Sequence, residues 1–88
     1  MAVVVTEKVM IGEIIKIEIA ASHKTSITIQ IIDPSGNVKD DTLSCNTTKE
    51  FICETYWTVP QETLPGTYIV KVNDAISSNQ TTFEVLPN

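Results

Sequence analysis

Apolar and polar side chains alternate in two segments of the stretch from residue 51 to residue 72. A period of two is that of an extended strand with one buried face. Between the segments, residues 60–66 contain two prolines and a glycine, which interrupt strand pairing and turn the chain. The stretch predicts a two-layer β-sandwich whose core is lined by Phe51, Cys53, Thr55, Trp57, Val59, Tyr68, Val70 and Val72.

The rest of the chain repeats this pattern in short segments that end at turn residues. No segment has the spacing of an amphipathic helix, and the many Ile, Val and Thr residues favour pleated sheet. We expect one all-β domain over residues 1–88, with seven to eight antiparallel strands in two sheets. Besides the two central segments, the predicted strands are residues 2–6, 14–20, 26–32, 38–45 and 81–86, and the predicted connections are residues 7–13, 46–50 and 73–80.

Three aromatic residues and one glycine are expected to determine how the core packs. Trp57 lies on the predicted inward face, and Phe83 does so on the last strand. The sequence Leu-Pro-Gly-Thr-Tyr, which contains Gly66 and ends at Tyr68, is suited to a tyrosine corner. In that motif the ring enters the core and the hydroxyl bonds to the backbone a few residues upstream.

The charge of the chain excludes two classes of partner. The formal net charge is −5, and the six basic residues, all lysines, are scattered along the chain. Nucleic acids and anionic membrane surfaces require clustered Lys or Arg, so we expect neither as a partner. No apolar run approaches the ~20 residues that span a bilayer, so no membrane insertion is expected.

Cys45 and Cys53 flank the predicted connection of residues 46–50. If this connection is a hairpin centred near Lys49, the two cysteines are directly opposite and close enough for a disulfide. The alternative is two buried thiols that act as small apolar side chains. Their spacing is not C-x-x-C, so neither a zinc site nor thioredoxin-like chemistry is expected.

Two N-x-T glycosylation sequons begin at Asn46 and Asn79, both in predicted connections. Surface loops are where glycosylation acceptors belong. A disulfide and glycosylation both occur in oxidising, extracellular settings. Together these features predict an extracellular or cell-surface location.

Residues suited to catalysis or metal binding are scarce. The one histidine, His23, has no His or Cys at a metal-ligand spacing, and no nucleophile-elbow motif is present. We therefore expect no enzymatic activity, no metal and no cofactor. His23 is expected to be a solvated loop residue.

Several motifs resemble those of immunoglobulin-like or macroglobulin-type β-sandwich repeats from archaeal and bacterial cell-surface proteins, including surface-layer proteins and adhesins. They are G-E-x-I-x-I-x-I at residues 12–19, I-x-I-x-I-I-D-P-S-G-N-V at residues 27–38, F-x-x-x-x-x-W-T-V-P at residues 51–60, L-P-G-T-Y-x-V-x-V at residues 64–72 and T-T-F-x-V at residues 81–85. The resemblance implies an immunoglobulin-like fold, an extracellular location and a domain excised from a longer multi-domain surface protein. It implies no catalytic residues.

These observations lead to a non-enzymatic structural or adhesive module as the first hypothesis. Its partners would be neighbouring domains of the same protein or other surface proteins, and the isolated domain would be monomeric. A second hypothesis is a module that recognises carbohydrate or protein through loops around Lys24, Gly36 and Ser77. A third is an accessory domain of a secreted hydrolase.

Overall fold

The computed structural model describes residues 1–87; Asn88, the last residue of the predicted domain, lies outside the described residues. Every regular element in this range is a strand, so the all-β prediction is confirmed, and no helix there is long and apolar enough to cross a membrane. The eight strands are β1 Ala2–Val5, β2 Lys8–Met10, β3 Ile14–Ala20, β4 Ser26–Ile32, β5 Val38–Asn46, β6 Ile52–Thr58, β7 Gly66–Asn73 and β8 Ser78–Leu86.

The strands form two sheets that pack as a sandwich-like pair of layers. One sheet has the order β1-β3-β6, and the other, which is curled, has the order β2-β8-β7-β4-β5. All pairs are antiparallel except β2 and β8, which are parallel. The expectation of antiparallel strands alone is therefore wrong in this one place.

The short strand β2 lies within residues 7–13, which were predicted to be an irregular connection. The chain leaves the three-stranded sheet after Val5 and joins the other sheet, where the amide N–H of Glu84 donates to the carbonyl of Glu7 at 2.8 Å. This crossing places Val9 in the core with 3% of its surface exposed. Three residues are too few for the alternation to identify a strand from sequence.

One apolar core lies between the two sheets. Phe83 lies at its centre, with its ring stacked on Tyr68 at 5.5 Å and edge-on to Trp57 at 6.1 Å between ring centroids. The three-stranded sheet contributes Val5, Ile15, Ile17, Ile19, Cys53 and Trp57, and the five-stranded sheet contributes Val9, Ile27, Ile29, Ile31, Tyr68, Val70, Val72, Phe83 and Val85. Isoleucine and valine at alternate positions thus form both inner faces.

The tyrosine corner predicted from sequence has its expected geometry. The hydroxyl of Tyr68 donates to the carbonyl of Leu64 at 2.6 Å. Gly66, between them, has φ = 144°, and a Cβ atom at this position would lie 2.8 Å from Cγ of Pro34. The site therefore requires a glycine on both conformational and steric grounds.

The predicted hairpin over residues 46–50 is not formed. β5 pairs with β4 in one sheet, and β6 pairs with β3 in the other. The connection between β5 and β6 therefore crosses from one layer to the other. Alternation identified an inward face on each strand, but it carries no information about which sheet a strand joins.

The structure places Phe51, one of the predicted core residues, outside the core. It precedes β6, its φ is +65°, and 39% of its surface is exposed. A positive φ is uncommon for a residue with a side chain, and here it ends the alternation one residue before the strand begins. Thr55 is half-buried, whereas the other residues predicted on these inward faces are buried.

Candidate functional site

The loops of the molecule lie in two groups at opposite tips. Residues 21–25, 47–51 and 74–77 form one tip, here named the histidine end. Residues 11–13, 33–37 and 59–65 form the other, named the proline end. Lys24 and Ser77 lie at the histidine end, and Gly36 lies at the proline end. The three loops expected to form one recognition surface are therefore divided between two.

At the histidine end, His23 contacts the turn between β7 and β8. Its Nε2 lies 3.9 Å from Oδ2 of Asp74, and its Nδ1 lies 3.2 Å from the hydroxyl oxygen of Ser22. The distance to Asp74 suits a charge contact and exceeds the 2.6–3.2 Å hydrogen bond by which a catalytic base is oriented. His23 lies in the predicted loop with 39% of its side chain exposed, and the contact with Asp74 is the feature that the sequence did not indicate.

The Asp74 carboxylate organises its own turn. Its Oδ1 accepts hydrogen bonds from the amide N–H groups of Ile76 at 2.8 Å and Ser77 at 2.7 Å. The bond from Ile76 is the largest cause that lowers the pKa of Asp74 below its ordinary value, with Ser77 and His23 adding to it. The turn was missed from sequence because residues 73–80 were read as one long loop, whereas β8 already begins at Ser78.

The proline end contains a cavity of about 200 Å³. Its floor includes Tyr68, whose pKa is raised because the phenol is buried and faces the charge of Asp33. Asp33 itself holds the β4–β5 turn, since its Oδ1 accepts from the amides of Ser35 and Asn37, both at 2.9 Å. The lining residues are Asp33, Pro34, Ser35, Lys39, Glu62, Leu64, Pro65 and Tyr68.

Two contacts join β5 to β6 across the layers. Cys45 and Cys53 form a disulfide with their Cα atoms 6.1 Å apart. Farther along the same strands, the indole N–H of Trp57 donates to Oδ2 of Asp40 at 2.9 Å. Hydrogen bonds to Asp40 from Thr42, and then from Trp57, lower the pKa of Asp40. The disulfide therefore connects two sheets, and the cross-strand pairing expected within one hairpin is wrong.

Both sequon asparagines lie in strands and not in the predicted loops. Asn46 is the last residue of β5, where its Oδ1 accepts from the hydroxyl of Ser26 at 2.6 Å. Asn79 lies in β8, and its Nδ2 donates to the carbonyl of Met1 at 2.8 Å. Asn46 and Asn79 are both exposed residues. Glycosylation of Asn46 and Asn79 stays a prediction.

Thr47, which the sequence analysis did not single out, fixes the start of the β5–β6 connection. Its hydroxyl accepts from the amide of Thr25 at 2.8 Å, and its own amide donates to the carbonyl of Thr25 at 3.0 Å. Thr47 is 8% exposed. A buried polar residue inside an otherwise polar loop gives no signal in a hydrophobicity pattern.

Among residues 1–87, no cluster of three or more His, Cys, Asp or Glu side chains is arranged to hold a metal ion. No protein-family model matches this chain, and no curated protein matches it significantly.

Proposed function

We propose that this domain is a non-enzymatic structural or adhesive module of a cell-surface or extracellular protein. The observation that carries the proposal is the disulfide between Cys45 and Cys53, which joins the edge strands of the two sheets. Disulfides persist in oxidising compartments and are rare in reducing ones. A small domain, whose core supplies limited stability, gains most from such a link.

We further propose that the sandwich is of the immunoglobulin type. The hydrogen bond from Tyr68 to Leu64 supports this, since the tyrosine corner recurs in that class. The packing of two sheets around one apolar core in a chain of 88 residues also supports it, because sandwiches of this class have about 100 residues.

The shape of the molecule favours a spacer role within this class. The principal extents are 39 × 21 × 18 Å. β1 begins near the histidine end, where Asn79 contacts Met1, and β8 finishes at the opposite tip beside Gly66. Domains attached before β1 and after β8 would therefore extend along the long axis and give a rod.

The covalent link is tested by the intact mass of air-purified protein after alkylation, with and without reduction. We expect two alkyl groups to add only after reduction. Free alkylation of both thiols without reduction would overturn the extracellular assignment.

The spacer role is tested by X-ray scattering from two copies joined in tandem. We expect the maximum dimension to approach twice the 39 Å long extent of one copy. A dimension close to that of one copy would show folded-back packing and would contradict a spacer.

A second candidate is recognition of carbohydrate or protein at the proline end. The cavity there favours it, because exposed Leu64 lies beside Lys39 and Glu62, which could bind polar groups. NMR titration with polysaccharides is the test. Shifts confined to the cavity residues would support recognition, and their absence would leave the structural role alone.

A further inference from the structure

Among residues 1–87 the two sheets have four edges, and the edge formed by β6 is the least protected of them. β1 and β2 have only four and three residues. β5 is interrupted by two register shifts opposite residues 29–32 and carries Lys39, Asp40 and Asp41. Short length, bulges and charge are the means by which edges avoid pairing. β6 is seven residues long, pairs in continuous register with β3, and contains no Pro, Gly or Lys; its one charged residue is Glu54, which Lys16 approaches to 3.6 Å.

Two hydrogen bonds at the ends of the ladder between β3 and β6 determine which backbone groups of β6 are free. Ala21 donates to the carbonyl of Phe51 at 2.8 Å, and Val59 donates to the carbonyl of Glu13 at 2.9 Å. Backbone groups of successive residues point to opposite sides of a strand. The odd-numbered residues of β6 therefore bond to β3, and the even-numbered residues direct their N–H and C=O groups away from it.

Three residues offer both groups on this free side: Glu54, Tyr56 and Thr58. The carbonyl of Ile52 is already bonded to the amide of Thr48 at 2.8 Å, so the preceding loop closes that end of the edge. Within residues 1–87, β6 has no strand neighbour besides β3. All three side chains belong to exposed residues, and Tyr56 is 56% exposed.

A shallow groove of about 360 Å³ follows the first half of this edge. It is lined by Thr48, Glu50, Ile52, Cys53 and Glu54, so its floor is apolar and its charged groups are two carboxylates. Lys16 lies 3.6 Å from Glu54 and offsets one of them. Glu50 has no such partner among the described residues, and the chain as a whole carries a charge of −5.

We propose that β6 binds an extended segment of another protein that carries basic residues alternating with apolar ones, by adding it as a fourth strand to the three-stranded sheet. Hydrogen bonds to Glu54, Tyr56 and Thr58 supply sequence-independent affinity. Glu50 and Glu54 select basic side chains, while the net charge steers a cationic segment and repels a second acidic copy of this chain. The site does not depend on the spacer role.

The test uses backbone NMR of the 88-residue protein and the capped peptide Val-Lys-Val-Thr-Val-Lys-Val. We expect amide shifts and slowed hydrogen exchange at Glu54, Tyr56 and Thr58. A peptide with Glu in place of Lys is expected to bind more weakly. A peptide with Pro at its third and fourth positions, which removes one donor from each edge of the peptide strand, is expected not to bind in either orientation.

Two variants connect the signal to the site. Tyr56→Pro removes one outward N–H and leaves the bonds to β3 in place, so binding should be lost while the fold is retained. Because proline could still disturb the strand, Glu50→Lys combined with Glu54→Gln provides a second variant, expected to weaken binding roughly three- to tenfold. Glu84→Lys changes an exposed residue of the five-stranded sheet and is the matched control. It should bind the peptide as the unaltered protein does.

The proposal is overturned by any of three results. The first is the absence of shifts at the three amides, and the second is equal binding of the Lys and Glu peptides. The third is sedimentation that shows concentration-dependent dimers, lost in Tyr56→Pro, because the edge would then serve a second copy of the chain.

Discussion

Phe51 and Phe83 are the same residue type in opposite environments. Phe83 is 2% exposed and contacts both Trp57 and Tyr68, whereas Phe51 is 39% exposed and has a positive φ. We expect Phe83→Ala to lower the free energy of unfolding by about 3–5 kcal/mol. Phe51→Ala should lower it by less than about 1 kcal/mol. Urea unfolding of both variants measures the difference, and equal losses would contradict the burial of these residues.

Asp40 is an edge-strand residue that nonetheless satisfies a buried group. Its carboxylate accepts the indole N–H of Trp57, a residue that is only 6% exposed. Asp40→Ala leaves this donor without a partner, which should lower the free energy of unfolding by about 1–3 kcal/mol.

Asp41, an exposed residue next to Asp40 in the same strand, is the control. Asp41→Ala should change the free energy of unfolding by less than about 0.5 kcal/mol. If both alanine variants unfold alike in urea, the bond from Trp57 to Asp40 contributes nothing.

At the scale of elements, the β7–β8 turn should make stability depend on acid pH. The amide of Ile76, with Ser77, holds the pKa of Asp74 below its ordinary value in the folded state. The unfolded state therefore binds a proton first as pH falls. The stabilisation is complete above the ordinary carboxyl pKa of about 3.9 and is lost as pH falls through the lower, folded pKa.

Asp74→Asn tests this linkage because the amide oxygen can still accept from Ile76 and Ser77 but does not titrate. We expect the variant to lose less stability than the unaltered protein between about pH 5 and pH 2, followed by urea midpoints. The exposed Asp41→Asn is the control. Parallel curves for the protein and Asp74→Asn would exclude the turn as the source.

Strands were easier to predict from sequence than the way in which they assemble. Strands β3 and β4 begin and end at the predicted residues, because Ile15, Ile17, Ile27 and Ile29 alternate without interruption. The crossing of the chain between β5 and β6 was missed from sequence. Two consecutive strands joined by a polar loop show the same alternation of apolar and polar residues whether they pair in one sheet or lie in opposite sheets. The contact of His23 with Asp74 joins residues 51 positions apart. It depends on the short β7–β8 turn, which ends before Ser78 and not at the end of the loop predicted over residues 73–80.

For the whole molecule, the disulfide is expected to be a major source of stability. It closes a loop of sequence separation 8, for which chain entropy predicts a loss of roughly 2.5 kcal/mol in the free energy of unfolding on removal. Cys45→Ala combined with Cys53→Ala should show this loss in urea. The reduced protein should behave similarly, and an unchanged midpoint in both would show that the apolar core alone holds the sheets together.

The parallel pairing of β2 with β8 has a mechanical consequence. β2 lies near the start of the chain and β8 near its end, and the two strands run in the same direction. Tension applied to the two ends of the chain pulls these strands past each other along their length. Their hydrogen bonds are then loaded together in shear, whereas an antiparallel terminal pair would open one bond at a time. A domain that transmits force along its long axis would resist it in part through β2, the short strand that the alternation did not reveal.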